Sequence, residues 1–223
     1  MFILRFLDRA FTFLFQGRFY QWVVNNFPFF RPIRETRLNE SPIPFKIWFK
    51  YKLRGPGTMP YWPIHSTSTL TGSWKNVYVG IDAAPGISPG CYIQALGEIF
   101  IDDYAQIAPN VGSISSNHFM LDIRKHVKNK IHIGKYSRIG MGSVILPGVV
   151  LGDFTTVSAG TIVTKSFPNG YCVLAGNPAQ IVEDYSTNES IKRKFLQYTN
   201  EHEYNGFIPH KEFDEFRKKY LNV

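Results

Sequence analysis

Cysteine is scarce: Cys91 and Cys172 are the only two in 223 residues. Two thiols cannot build a disulfide framework, so a reducing compartment is expected, with Cys91 buried at a small inward position of the repeat set out below. Long uncharged apolar runs are lacking too. The stretch ILRFLDRAFTFLFQGRFYQWVVNNFPFF is broken by Arg5, Asp8, Arg9 and Arg18, well short of the roughly 20 residues that span a bilayer. No small-residue cleavage site marks it as a signal peptide. Acidic residues are outnumbered, 17 against 25 basic ones for a net charge of +8. The positive charges are dispersed and no nucleic-acid-binding motif accompanies them, so nucleic acid is not expected as a partner.

Aromatic residues are plentiful, and they crowd into the first 62 positions. Ile3, Phe6, Leu7, Ala10, Phe11, Leu14 and Phe15 recur at helical spacing, the pattern of an amphipathic helix, and a proline-bearing connector follows. Such a face packs on the rest of the fold or on a neighbouring subunit. With the local surplus of arginine and lysine, it also fits peripheral contact with a membrane.

Beyond this extension the chain repeats. Aliphatic residues return at every sixth position through Ile133, Ile139, Ile145, Leu151, Val157 and Val163. Helices repeat near 3.6 and half-buried strands near 2, whereas a period of six marks a β-solenoid of hexapeptides. If three hexads close one coil, Ile133 stacks on Leu151, Ile139 on Val157 and Ile145 on Val163. Earlier, Ile81, Ile87, Ile93 and Ile99 carry the same step, and the repeat restarts at Ile101 and Ile107 after a two-residue offset in QALGEIF, read as a corner bulge. Ile64 and Leu70 open the series. The expected organisation is an extension over 1–62, a solenoid over 63–183 and a charged helical tail over 184–223.

Residues 113–130 leave the rhythm and are expected to project as a loop from one corner, where a rigid scaffold can place functional groups. His118 lies in this loop with Asp122, Arg124, Lys125 and His126. A histidine there is a candidate general base.

The segments YIQALGEIFIDDYAQIAPNVGSISSNH, IHIGKYSRIGMGSVILPGVVLGDFTTVSAGTIVTKSFP and VLAGNPAQIV resemble the hexapeptide-repeat acyltransferases, in the branch of galactoside, maltose and surface-polysaccharide O-acetyltransferases. The resemblance implies a mainly β fold, a left-handed parallel β-helix with helical extensions at both ends, and a homotrimer. It implies acetyl-CoA as donor, a sugar or glycan-precursor acceptor, no metal, and a site shared between subunits. It places the catalytic base at His118. It places coenzyme A contacts at Met141, Ala159, Thr164, Lys165 and Asn177, and acceptor contacts at Gln94 and Asn117; Arg138 is a further candidate for the donor, its charge able to share a coenzyme A phosphate with Lys165. Four positions depart from the pattern: Arg138 stands where many relatives have an aromatic, Gln180 and Glu183 stand near the places of arginines, and Phe119 follows the histidine where aspartate is common. The implied location is the cytoplasm, at the inner face of the membrane if the first helix makes contact there. N-acetylation of an amino sugar uses the same groups. The rival readings are a zinc hydratase of the γ-carbonic-anhydrase type, drawing on His118, His126 and His132, and a non-catalytic scaffold.

Overall fold

The structure, a computed structural model, describes residues 17–197 and 204–223. The expected helix through Ile3 and Phe15 lies outside the described residues. From Thr69 to Ala175 the chain runs through short strands that fall in rotation into three parallel sheets. The first sheet stacks 69–72, 92–95, 112–114, 144–145 and 162–163. The second stacks 77–79, 99–101, 131–133 and 150–151, and the third stacks 106–107, 138–139, 156–157 and 172–175. Each coil is thus a triangle with one strand per side.

The register follows from the period. Ile133 pairs with Leu151, Ile139 with Val157 and Ile145 with Val163, the three pairings expected from the repeat. All six side chains are buried, so each two-residue strand is stabilised by the ladder above and below it rather than by its own length. The corners use small hydroxylic residues: Ser143 Oγ donates to the Ser158 carbonyl at 2.9 Å and Thr155 Oγ1 to the Gly152 carbonyl at 2.6 Å. Buried turn carbonyls are satisfied without bulk. Gly140 serves packing, since a Cβ there would lie 2.6 Å from Ala159 N and Val157 O of the next coil.

The offset also appears in place. Ile93 and Ile101 occupy consecutive sides of one coil, paired with Ser113 and Ile133, and the extra residues turn the corner at Leu96 and Gly97. A Cβ on Gly97 would strike the carbonyls of Ser115 and Asn129. Leu70 is the first ladder residue, paired with Ile93. Cys91 and Cys172 are both buried and free, and burial pushes the Cys172 thiol up from its ordinary pKa.

The interruption is itself ordered. Ser113 and Ile114 stay in the first sheet, Ser113 pairing with both Ile93 and Ile145, because a serine fits the ladder where an aliphatic stands elsewhere. The chain then leaves the prism as an antiparallel hairpin, Ser116–Phe119 against Asp122–Lys128, and returns at Ile131–Ile133. The projection is a pair of strands where a loop was expected.

The N-terminal extension and the last helix fold over the first coil. Helices Arg18–Asn26, Arg31–Glu35 and Phe45–Arg54 lead into Tyr61, whose hydroxyl donates to the Val79 carbonyl at 2.8 Å and accepts from Val79 N at 2.5 Å. Trp62 Nε1 donates to the Pro85 carbonyl at 3.0 Å. Phe213 and Phe216 of the last helix, Phe213–Tyr220, are buried with ring centroids 5.6 and 5.2 Å from Tyr61. The tail, expected as charged surface helices, therefore docks by its aromatic side. Its other helix, Glu189–Leu196, sets Phe195 against Phe154 and Tyr171. Those two rings continue a stack of Tyr104, Tyr136, Phe154 and Tyr171, with centroids 4.8, 5.0 and 5.1 Å apart. All four residues have positive φ, uncommon for aromatics.

Candidate active site

The hairpin is fixed at its root. Gln94 Oε1 accepts from Ser116 N at 3.1 Å and from Ser116 Oγ at 3.0 Å, and Asn129 N donates to the Ser115 carbonyl at 2.8 Å. Gln94, expected at the acceptor, thus commits its oxygen to holding the hairpin. Asn117 pairs with Val127 and His118 with His126 across the two strands.

His118 is exposed, and its Nδ1 lies 2.5 Å from the Ile123 carbonyl oxygen. A carbonyl only accepts, so Nδ1 carries the hydrogen and Nε2 keeps its lone pair. The ring of His126 stands beside it, centroids 4.5 Å apart at 42°. At the turn, Asp122 pairs with Arg124 Nε at 2.9 Å and with Lys125 Nζ at 3.8 Å. The hydrogen bond from Arg124 holds the Asp122 carboxyl below its ordinary pKa. Arg124 and Lys125 are therefore engaged within the loop. An imidazole in this tautomer can withdraw a proton from a group brought to Nε2.

The other candidates separate by corner. Met141 and Ala159 occupy the corner between the third and first sheets in adjacent coils, joined by a bond from Gly160 N to the Met141 carbonyl at 2.8 Å. Asn177 lies one coil further along the same edge, where Gly176 accepts from Ile162 N at 3.0 Å. Here the glycines divide. Gly142 and Gly160 have φ of +70° and +71° and nothing within 4 Å of a Cβ, so they leave backbone open to an extended ligand, whereas Gly140 is a packing position.

Thr164 and Lys165 follow Ile162–Val163 at the corner between the first and second sheets, the same corner from which the hairpin springs, two coils away. Lys165 Nζ is 3.4 Å from Gln180 Oε1 and 5.5 Å above the Phe167 ring. Gln180 is thereby a partner of the lysine, and Glu183 accepts a hydrogen bond from the Tyr185 hydroxyl. Arg138 lies elsewhere. It pairs with Gln106 and Thr156 in the third sheet and lines a cavity of about 470 Å³ with Asp82, Tyr136 and Phe154. In a triangular coil that face is opposite the corner from which Lys165 departs, so the two residues start from different parts of the prism.

The three imidazoles of the hydratase reading do not converge in one chain either, since His132 Nε2 is 2.7 Å from Asp102 Oδ2 on the second sheet. Among the described residues no group of three or more histidine, cysteine or acidic side chains is arranged to hold a metal. Ser116 and Ile123 were not read from the sequence as parts of this site. The coil offers one signal, because a hairpin root must meet the preceding coil at its corner, here Gln94.

Residues 130–165 match the family model described as bacterial transferase hexapeptide (six repeats). Those residues carry the six-residue repeat of that model. The chain's resemblance to the hexapeptide-repeat acetyltransferases, read from the motifs, holds. It is 35% identical over 95 residues to the galactoside O-acetyltransferase of Escherichia coli (strain K12), covering 41% of this chain and 46% of that protein. It is 31% identical over 88 residues to the galactoside O-acetyltransferase of Lactococcus lactis subsp. lactis (strain IL1403), covering 38% and 42%. The chain spans about half the length of the curated relatives it matches. A solved galactoside acetyltransferase in complex with coenzyme A shares the fold with a TM-score of 0.54 at 24% identity, over 73% of this chain and 80% of that one.

Proposed function

We propose that the chain is an acetyl-CoA-dependent O-acetyltransferase acting on a hydroxyl of a sugar or glycan precursor, with His118 as its general base. The observation that carries this reading is the Nδ1 hydrogen bond to Ile123, which leaves Nε2 available as a base. In the reaction the acceptor hydroxyl attacks the thioester carbonyl as Nε2 takes its proton. The tetrahedral intermediate then collapses to the ester, and the departing coenzyme A thiolate recovers the proton from the imidazolium. No acyl-enzyme is required. Transfer to oxygen is favoured over transfer to an amine by the galactoside O-acetyltransferases among the relatives.

In this reading the solenoid is left-handed over residues 63–183, between an extension over 1–62 and a tail over 184–223, and the working unit is a homotrimer. Two features support the assembly. Met120 and Leu121 at the hairpin tip are 89% and 85% exposed, an apolar projection suited to a second surface. The proposed donor contacts lie on an edge, a corner and a face of one prism, so a shared pocket must draw them from adjacent chains. Met141, Ala159 and Asn177 would line the pantetheine arm beside Gly142 and Gly160. Thr164 and Lys165 would meet a phosphate at one corner, while Arg138 serves from its own face. Asn117 flanks the acceptor, and Gln94 acts through the hairpin it anchors. No helix among the described residues is long and apolar enough to cross a membrane. A cytoplasmic location at the inner membrane face completes the proposal.

The test is an acceptor screen that follows free thiol release from acetyl-CoA over hydroxyl and amino sugars, run beside His118→Ala. Release that depends on a hydroxyl sugar and on His118 is expected. Release only with amino sugars moves the reading to N-acetylation, and metal-dependent hydration without thiol release overturns it.

A further inference from the structure

Six of the chain's eight net positive charges lie in residues 17–54, which hold eight basic residues and two acidic ones. The helix Phe45–Arg54, FKIWFKYKLR, contains no acid at all. At 100° per residue, Lys46, Phe49, Lys50 and Leu53 fall on one face, and Trp48 and Tyr51 on the opposite one. The structure buries Trp48 and Tyr51. Trp48 sits among Phe29, Phe30 and Phe45 at centroid distances of 4.7, 4.8 and 5.4 Å, and Tyr51 stacks on Phe207 at 4.0 Å. The helix is therefore pinned by its aromatic side, and its other face is turned outward by the fold.

That outward face is of an unusual kind. Leu53 is 71% exposed and Phe49 45%, and Lys46 and Lys50 on either side of them have no acidic partner among the described residues. The apolar surface continues beyond the helix. Phe49 stacks on Phe45, Phe45 meets Phe30, and Phe30 meets the exposed Phe29, over which Lys52 Nζ stands at 5.7 Å. Trp22 lies exposed between Phe19 and Phe27, at 6.2 and 5.9 Å. Exposed aromatic and leucine side chains interleaved with lysines are suited to a boundary whose outer layer is anionic and whose inner layer is apolar. Lysine stems lie along the apolar surface while their ammonium heads reach phosphates.

We propose that the face of helix Phe45–Arg54 bearing Lys46, Phe49, Lys50 and Leu53 docks on an anionic phospholipid bilayer. Charge decides the occupant. A second copy would bring the same basic surface and repel, whereas each lysine near an anionic leaflet adds to binding. The helix lies in the interface plane, with Phe49 and Leu53 entering it and Lys46 and Lys50 at headgroup level. This surface is separate from the residues assigned to catalysis and stands whether or not the acetyl-transfer reading holds.

Co-sedimentation of the full chain with vesicles tests this directly, comparing phosphatidylcholine alone with phosphatidylcholine containing about one-third phosphatidylglycerol. Binding to the anionic vesicles, weakened by added salt and absent from the neutral ones, is expected. Lys46→Glu with Lys50→Glu lowers that binding by about tenfold or more, since each lysine loses its attraction and gains a repulsion, and Leu53→Ser lowers it by several fold. All three positions are on the surface, so thermal melting stays unchanged. Because Cys91 and Cys172 are buried, a polarity-sensitive dye can be attached selectively at Leu53→Cys, and its emission shifts to the blue on anionic vesicles only. The proposal is overturned by anionic binding that these substitutions leave intact, by equal binding to neutral vesicles, or by a dye shift that requires a second copy or an acidic protein instead of lipid.

Discussion

The coils between Ile131 and Val163 and the hairpin between Ser116 and Lys128 are built from consecutive stretches of one chain on opposite principles. In the coils every side buries an aliphatic, and strands such as Arg138–Ile139 and Val144–Ile145 are paired with a neighbour on each side. In the hairpin nearly every side chain beyond Ser116 is exposed, and the strands are held to the prism at the root by Gln94, Ser115 and Asn129. The coils supply rigidity without chemistry. The hairpin supplies a histidine whose tautomer is set by a bond inside the hairpin itself, so its orientation depends on the prism only through the root.

The contrast is sharpest if stability and turnover separate. The largest effect expected is on turnover: His118→Ala lowers kcat by about 10²–10⁴-fold in the thiol-release assay and leaves the melting temperature unchanged. Full activity in a folded His118→Ala protein breaks the comparison. Ile139→Ala does the reverse. Ile139 is buried between Ile107 and Val157, and its truncation costs about 2–5 kcal/mol of stability by chemical denaturation, while kcat per folded molecule stays near that of the parent.

Smaller effects probe the joints between the two regions. Lys165→Ala raises KM for acetyl-CoA by about tenfold, the worth of a charge-assisted hydrogen bond, without moving the acceptor KM. An equal rise in both constants removes Lys165 from the donor side. Gln94→Ala removes two hydrogen bonds to Ser116 and costs about 1–3 kcal/mol, and it lowers kcat by several fold through a loosened root. An acceptor KM that rises while stability is untouched assigns Gln94 to the acceptor instead.

The same two regions differ in how far the sequence discloses them. The period of six fixes which residues face inward, so the pairings of Ile133, Ile139 and Ile145 were legible without coordinates. Tyr136 and Phe154 are eighteen positions apart, one full coil, and that spacing alone foretells their stacking, a signal not drawn from the sequence. The hairpin was legible as an interruption only. Antiparallel pairing depends on where the turn falls, and residues 116–128 offer no repeat from which to place it. The Ile123 carbonyl is backbone, invisible in composition, yet it determines the state of His118. Arg138 and Lys165, read as able to share one phosphate, start from a side and from the opposite corner of the triangular coil, a separation that the grouping of charges in the sequence does not disclose.

The central claim concerns one proton. Labelling the histidine rings with nitrogen-15, and assigning His118 by its loss in His118→Ala, reports the hydrogen on each ring nitrogen directly. With the ring neutral, the account predicts a protonated Nδ1 and an unprotonated Nε2, held by the Ile123 carbonyl. A signal from Nε2–H with a bare Nδ1 would contradict it, because the nitrogen assigned as the base would then have no lone pair to offer.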